Sequence, residues 1–223
     1  KAYGLFFAPE LSTSNRATIG GMINTDASGQ GSCTYGKTRD HVLELDVVLP
    51  GGARFQSRSV DAAELQVQLK KGGPVGDAWR CAHKIATQHA ELIATRFPRL
   101  NRCLTGYDLA HLQEPGDRFN LNSVLCGAEG SLGFVVEAEI GLLPIPRHSM
   151  LVNVRYASFM DALRDARFLM RHRPLSIETV DSKVLGLAMD DIVWRDVAEY
   201  FSEPSDTVPT RGINLVEFCG DSE

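Results

Sequence analysis

The stretch PELSTSNRATIGGMINTDASGQGSCTYG, residues 9–36, decides how this chain is read. Five of the chain's twenty glycines stand in it, at Gly20, Gly21, Gly29, Gly31 and Gly36, among Ser, Thr, Asn and Asp. No helical or strand periodicity crosses it. Glycine reaches positive φ and lets backbone approach a ligand, while hydroxyl and amide side chains supply hydrogen-bond partners. A connection of this length is usually functional or disordered. Ile19, Met22, Ile23 and Tyr35 are spaced through it like anchors and argue against disorder. The stretch is therefore expected to be a ligand-embracing loop.

Directly after it, HVLELDVVLPGGARFQ predicts a hairpin: a β-branched run from Val42 to Leu49, a Pro50-Gly51-Gly52 turn and a return strand over Ala53–Gln56. Residues 61–71 carry a moderate helical pattern, and 72–76 read as a loop. From Asp77 the apolar residues Trp79, Ala82, Ile85, Ala86, Ile93 and Phe97 recur at three- and four-residue spacing. That predicts one amphipathic helix, capped by Asp77 and ended by Pro98. Residues 102–112 suggest a short turn-and-helix region, and Glu114–Asp117 a turn. A second glycine cluster, LCGAEGSLG at 125–133, runs straight into the strand FVVEAEIGLL, which stops at Pro144-Ile145-Pro146.

Beyond those prolines the chain starts afresh. MLVNVRY (150–156) alternates as a strand. Ser158 is placed to cap a helix whose buried stripe is Phe159, Ala162, Leu163, Ala166, Leu169 and Met170. Residues 177–189 are mixed, 192–201 read as a helix, 202–211 as a Pro-rich loop and 213–218 as a closing strand. This order suggests the opening of a small α+β domain, with a boundary at about Arg147.

Composition narrows the function. At 43% apolar and 23% charged, the 223-residue chain has the make-up of a globular protein. Its net charge is −5, with Lys and Arg scattered, so it lacks the basic stripe of a nucleic-acid surface. No apolar run approaches the ~18 residues of a transmembrane helix. The five cysteines show no CxxC spacing, which points away from a disulfide framework and toward a reducing compartment. The six histidines form no ligand cluster; His83 and His89 do not stand at the i,i+4 spacing of a metal pair. With no initiator Met, the chain is expected to be a piece of something longer.

Three phosphate- or acyl-binding patterns fail on inspection. A Walker loop needs a Lys followed by Ser or Thr, a Rossmann loop needs GxGxxG between strand and helix, and a serine elbow needs GxSxG. None occurs here. What remains is two glycine-rich loops, each followed by a strand, able to converge on one extended, phosphate-bearing ligand.

Residues 9–52 resemble the FAD-binding segment of the FAD-linked oxidases of the vanillyl-alcohol oxidase/PCMH type, and GAEGSLGFVVEAEIGLLPIP resembles that domain's second cofactor motif. Among them the D-lactate, glycolate and D-2-hydroxyglutarate dehydrogenases are the nearest in pattern. The insertion AHKIATQHAELIATRFPRLNRCLTGYDLAHL is similar to that of large bacterial members with a C-terminal iron–sulfur region. The resemblance implies an α+β fold: residues 1–147 as the second half of a PCMH-type FAD-binding domain, with a mixed or antiparallel sheet and flanking helices, and 148–223 as the start of the substrate domain.

It also implies which residues meet the cofactor. Pro9 and Ser14 would lie along it, and Thr18, Ile19, Gly20 and Gly21 would offer N–H groups near the pyrophosphate. Asn24, Asp26, Ser28 and Gly29 would border the ribityl chain and flavin, and Tyr35 and Gly36 would close the loop. Glu129, Gly130, Gly133, Phe134 and Val135 would come from the second motif. Asp26 departs from the family's small, uncharged residues, and a carboxylate beside a pyrophosphate would repel it. Asp26 is therefore expected to turn away or meet a hydroxyl.

The implied activity is hydride transfer from the α-carbon of a small 2-hydroxy acid to FAD, in the cytoplasm or peripheral to the inner face of a membrane. The electron acceptor stays open, and no nucleic acid or transmembrane segment is involved. No catalytic or metal residue is expected in these residues, and any metal or iron–sulfur cluster would lie outside them. Arg147 and Arg155 could meet a substrate carboxylate. The rival readings are a sugar or alcohol oxidase of the same fold and a redox-inactive flavin-fold scaffold.

Overall fold

A computed structural model describes residues 3–98, 100, 106–192, 194–201 and 209–221. The chain divides into two compact units, 1–144 and 145–223. Helices and antiparallel sheets alternate in both, which is the expected α+β class.

The first unit opens with a short strand, β1 (Leu5–Phe6), and three short helices: α1 (Ile19–Asn24), α2 (Ser32–Tyr35) and α3 (Thr38–His41). The hairpin follows as expected, with β2 (Val42–Val48) and β3 (Arg54–Val60) paired so that Val47 faces Phe55. Gly51 and Gly52 both take positive φ, 91° and 89°, where a Cβ would be strained, so the turn needs both glycines. Helix α4 (Ala62–Lys70) resolves the ambiguous segment. Asp61 Oδ1 accepts the Glu64 N–H at 2.8 Å while Glu64 Oε2 accepts the Asp61 N–H at 3.3 Å, a capping box.

Helix α5 (Gly73–Gln88) corrects two expectations. It starts before Asp77, inside the presumed loop, because Pro74 suits a first helical turn and Gly76 lets the helix sit on the Lys71 carbonyl. It also ends early. His89 (φ −116°, ψ 20°) breaks the line, and α6 (Ala90–Arg96) continues separately. No residue of α6 is buried, so no core contact holds it coaxial with α5.

Trp79 and Ala86 turn the buried face of α5 toward the sheet, and the Trp79 ring packs on Phe119 with centroids 6.1 Å apart. A 3₁₀ turn (Leu109–His111), the hairpin β4 (Gln113–Glu114) and β5 (Arg118–Asn120), and helix α7 (Asn122–Leu125) lead to β6 (Phe134–Ile140) and β7 (Leu143–Pro144). The main sheet runs β4-β5-β3-β2-β6, antiparallel throughout, and β1 pairs with β7. Its core gathers Ile23, Leu45, Val47, Trp79, Leu112 and Phe119. Residues 101–105, including Cys103, lie outside the described residues.

The second unit holds β8 (His148–Tyr156), α8 (Phe159–Leu169), β9 (Ser176–Asp181), α9 (Ser182–Met189), α10 (Trp194–Val197) and β10 (Gly212–Gly220). The closing strand lies in the middle, in the order β8-β10-β9. Segment 177–189 is thus strand then helix, with Asp181 Oδ1 capping α9 through the Lys183 and Val184 N–H groups. The helix expected over 192–201 is only α10 followed by a 3₁₀ turn. Residues 202–208 of the Pro-rich loop lie outside the described residues.

Two expectations about α8 fail. Ser158 stands at the N-cap but its side chain makes no capping bond. Of the proposed stripe only Ala162 is buried, while Leu163 and Met170 are exposed. The reason is close approach: a Cβ on Gly212 would stand 2.9 Å from Phe159 Cα and 3.2 Å from Ala162 Cβ, leaving space for only a small side chain beneath the helix.

Asn214 joins helix to sheet from a fully buried position. Its Nδ2 donates to Ala162 O at 2.9 Å and to Tyr156 Oη at 3.1 Å, and its Oδ1 accepts from Thr179 at 2.7 Å. Tyr156 donates to Asp165 at 2.5 Å. Burial, and then that bond to Asp165, push the Tyr156 hydroxyl up to about 12. The folded state therefore holds this proton more tightly than the unfolded chain, whose tyrosine titrates near 10. Its contribution to stability is complete below about pH 10 and is lost as pH rises through about 12. Amide exchange across β8, β9 and β10 is expected to accelerate over that window, and Tyr156→Phe to lessen the acceleration. An unchanged alkaline limb in the variant would refute this.

Candidate functional site

The opening loop is built around α1. Thr18 has extended backbone (φ −95°, ψ 149°), and its Oγ1 accepts the Gly21 N–H at 3.1 Å. Met22 and Ile23 are buried beneath the helix. Their burial leaves Thr18, Ile19, Gly20 and Gly21 exposed at its start. Ile19, read as an anchor, is 41% exposed and anchors nothing in the core. A helix of six residues holding two glycines is too short and too poor in propensity to show periodicity, so sequence reasoning missed it.

The end of α1 meets the second glycine cluster. The Gly127 N–H donates to Ile23 O at 2.9 Å, and the Glu129 N–H to Asn24 O at 2.8 Å. Asn24 Nδ2 in turn donates back to Gly20 O at 2.8 Å. The two glycine-rich stretches thus converge through backbone bonds. Glu129 takes φ 50° and Gly130 φ 77°, and the Glu129 side chain projects to solvent. Gly133 directly precedes β6 and lies close against β2: a Cβ there would stand 2.6 Å from Val47 Cγ1. Phe134 pairs with Val48 and is 72% exposed, while Val135 pairs with Val47 and is half-buried.

Asp26 is buried, at φ 44°. Its carboxylate pairs with the ammonium of Lys37, itself only 1% exposed, and accepts the Arg39 N–H at 2.9 Å. Thr38 donates both its N–H (3.0 Å) and its hydroxyl (2.7 Å) to Ala27 O, stitching α3 onto this corner. The Arg39 guanidinium pairs with Asp108, and His111 Nδ1 stands 2.9 Å from both Asp108 oxygens. Burial, then the Arg39 charge, hold the His111 imidazole below its usual range, so it is neutral near pH 7. Sequence reasoning missed Lys37, Arg39, Asp108 and His111. The one local signal was the charged run KTRD directly after Gly36.

The remaining residues shape the loop. Pro9 is buried, and Glu10 crosses directly over Gly29, where a Cβ would lie 1.8 Å from Glu10 O. Ser14 is exposed in a turn, its N–H donating to Leu11 O at 3.0 Å. Ser28 is half-buried between Asp26 and Gly29. Gly36 (φ 79°) gives way to Asp40, whose Oδ2 accepts the Lys37 N–H at 2.8 Å. The Tyr35 ring meets Phe6 edge-on at 5.7 Å, and its carbonyl accepts from His41 Nε2 at 2.8 Å. Gly29 and Gly36 are therefore glycines because protein atoms demand it.

Gly20 is different. Apart from its own helix, no atom of the chain lies within 4 Å of where a Cβ would stand there, and the same space is open at Gly130, whose φ of 77° already favours glycine. Open glycines at the start of α1 and beside its end suit an extended ligand pressed against backbone. Asp26 offers no obstacle to an anionic group there, because Lys37 and the Arg39 amide take up its carboxylate. The residues fit a dinucleotide such as FAD. Among the described residues no group of three or more His, Cys, Asp or Glu side chains could hold a metal ion. Cys33 and Cys81 are exposed free thiols, and Cys126 is a buried one.

Two family models match the chain: "FAD binding domain" over residues 1–58 and "FAD linked oxidases, C-terminal domain" over 145–223. The chain is 71% identical over 222 residues to a D-2-hydroxyglutarate dehydrogenase of Pseudomonas putida, covering 99% of this chain and 22% of that protein. It is 48% identical over 224 residues to the D-2-hydroxyglutarate dehydrogenase of Escherichia coli K12, covering 100% of this chain and 22% of that protein. It is 27% identical to a glycolate oxidase subunit of Bacillus subtilis over 84% of this chain and 29% of that one. The chain thus spans about a fifth of the first relatives' length. Among solved structures, an alkyldihydroxyacetonephosphate synthase matches with TM-score 0.59 at 15% identity, over 98% of this chain and 31% of that one, a likeness of fold.

Proposed function

Because the chain belongs to the FAD-linked oxidases, we propose that it is the flavin-bearing segment of an FAD-dependent dehydrogenase of D-2-hydroxy acids, with D-2-hydroxyglutarate as first substrate. Residues 1–147 form the later part of the flavin domain and 148–223 the opening of the substrate domain. The observation that carries this reading is the junction of the two glycine-rich stretches, Gly127 and Glu129 bonded to the end of α1. Bound FAD supplies the hydride acceptor, and the redox chemistry is the cofactor's.

In this reading the chain's own residues bind and orient. Thr18 to Gly21 present the open start of α1 to the pyrophosphate. Asn24, Asp26, Ser28 and Gly29 border the ribityl chain and flavin, and Glu129 to Val135 supply the second edge. Pro9, Ser14, Tyr35 and Gly36 hold the loop's outer course. The acid–base groups that act on substrate lie outside these residues, so the 223-residue chain alone is expected to be inactive. No helix among the described residues is long and apolar enough to cross a membrane. A cytoplasmic enzyme, free or peripheral to a membrane, accords with that.

The full-length protein is expected to carry FAD whose visible band bleaches anaerobically with D-2-hydroxyglutarate. Absence of FAD after reconstitution would end the proposal. A sharper test is Gly20→Val. A Cβ at Gly20 meets no protein atom, so the fold is expected to survive with its stability changed by less than about 1 kcal/mol. FAD affinity should fall by about tenfold or more, some 1.4 kcal/mol. Undiminished affinity in a folded variant would remove the start of α1 from the site.

A further inference from the structure

We propose that Asp26 and Lys37 form an electrostatic tuning pair that sets the redox balance of the flavin from behind its loop. The inference rests on the reading that residues 24–29 border the cofactor. Both are positioning residues, acting through the field at that loop.

The pair calls for an explanation beyond stability. Lysine is almost never fully buried unless paired. Lys37 is 1% exposed and Asp26 5%, and apolar residues of similar volume often hold a core as well as a buried ion pair does. Asp26 also keeps its place in the left-handed region, at φ 44°, where non-glycine residues are uncommon. Its N–H donates to Ile23 O at 3.1 Å, so it sits on the end of α1, beside the junction with Gly127 and Glu129. A Cβ on Gly127 would lie 3.2 Å from Asp26 Cβ.

Buried charges are weakly screened, so removing one member alters the potential of its surroundings even at moderate salt. The field of this corner is felt at Cys126. Burial, and then the Asp26 carboxylate, push that thiol up to about 12. The other charges facing the pair are Arg39, bound to Asp108, and Asp40, bound to the Lys37 amide. They leave Asp26 and Lys37 as each other's direct counter-ions.

Reduction places electrons on the flavin, so an added positive charge nearby favours the reduced form and an added negative charge opposes it. Asp26→Asn leaves Lys37 uncompensated and should raise the midpoint potential of full-length, FAD-loaded protein. Lys37→Gln leaves Asp26 uncompensated and should lower it. Each shift should be at least tenfold in the redox equilibrium, about 30 mV for a two-electron couple, and Lys37→Arg should restore the original value.

The measurement is an anaerobic titration of flavin absorbance against dyes of known potential, with FAD affinity measured in parallel. Opposite signs support the inference, since a structural disturbance carries no sign. Shifts in one direction, or none, overturn it. If Lys37→Gln does not fold, Asp26→Asn decides alone: Asn still accepts the Arg39 N–H, and an unchanged or lowered potential defeats the proposal. A wild type that takes up no FAD overturns the cofactor reading itself, a distinguishable failure.

Discussion

Gly29→Ala is expected to abolish flavin uptake by the full-length protein and to destabilise the first unit by about 3 kcal/mol or more. A methyl group at this position would lie 1.8 Å from Glu10 O, 2.5 Å from Glu10 C and 2.7 Å from Glu10 N. All three atoms belong to backbone, so no rotamer change relieves the clash. The strand of chain at Pro9 and Glu10 must lift away, and with it the bond from the Gln30 N–H to Glu10 O at 3.3 Å. That movement detaches the outer course of the loop from its inner course. The check is paired: flavin content after reconstitution, and the thermal midpoint of the purified variant. Retained FAD at an unchanged midpoint would mean that Pro9–Glu10 does not cross Gly29 as described. Gly20→Val provides the contrast, since it adds bulk where no protein atom stands.

The second large effect concerns the core beneath the site. Trp79→Ala is expected to cost about 3–5 kcal/mol, the range for emptying a buried aromatic position. Trp79 is fully buried and packs on Phe119, which His83 also meets edge-on at 5.8 Å. Its Nε1 is buried and finds no hydrogen-bond acceptor among the described residues. Trp79→Phe therefore removes a desolvated, unpaired donor as well as volume, and the two effects oppose one another. It should cost less than half of what Trp79→Ala costs. Urea unfolding followed by amide exchange in β2 and β3 separates the cases. Equal losses for Phe and Ala would refute this expectation.

Much of this architecture is legible in the residues alone. The hairpin is written in the run from Val42 to Leu49 and in Pro50-Gly51-Gly52, because strand propensity and positive φ are properties of single residues and near neighbours. The strand after Gly133 follows for the same reason. The break at Pro144-Ile145-Pro146 falls where the two compact units part. Helix limits are less legible: α5 enters the presumed loop through Pro74 and stops at His89, since packing on Lys71 and the lack of any buried face in α6 override the periodic pattern. In the second unit the helical stripe misled. The close approach at Gly212 admits only Ala162, a fact that depends on a strand fifty residues further on.

The candidate site divides in the same way. Its glycine-rich stretches, their order and the kind of ligand they suit are determined by the sequence itself, because they rest on residue types and short spacings. Tertiary structure alone decided that Gly127 and Glu129 bond to the end of α1, that Glu10 crosses Gly29, and that Lys37 and Arg39 take up Asp26. These pairings join residues that are not near neighbours along the chain, and no local propensity carries that information. An acidic residue in a loop expected to meet an anion reads as a contradiction in one dimension. In three, a buried lysine stands against it.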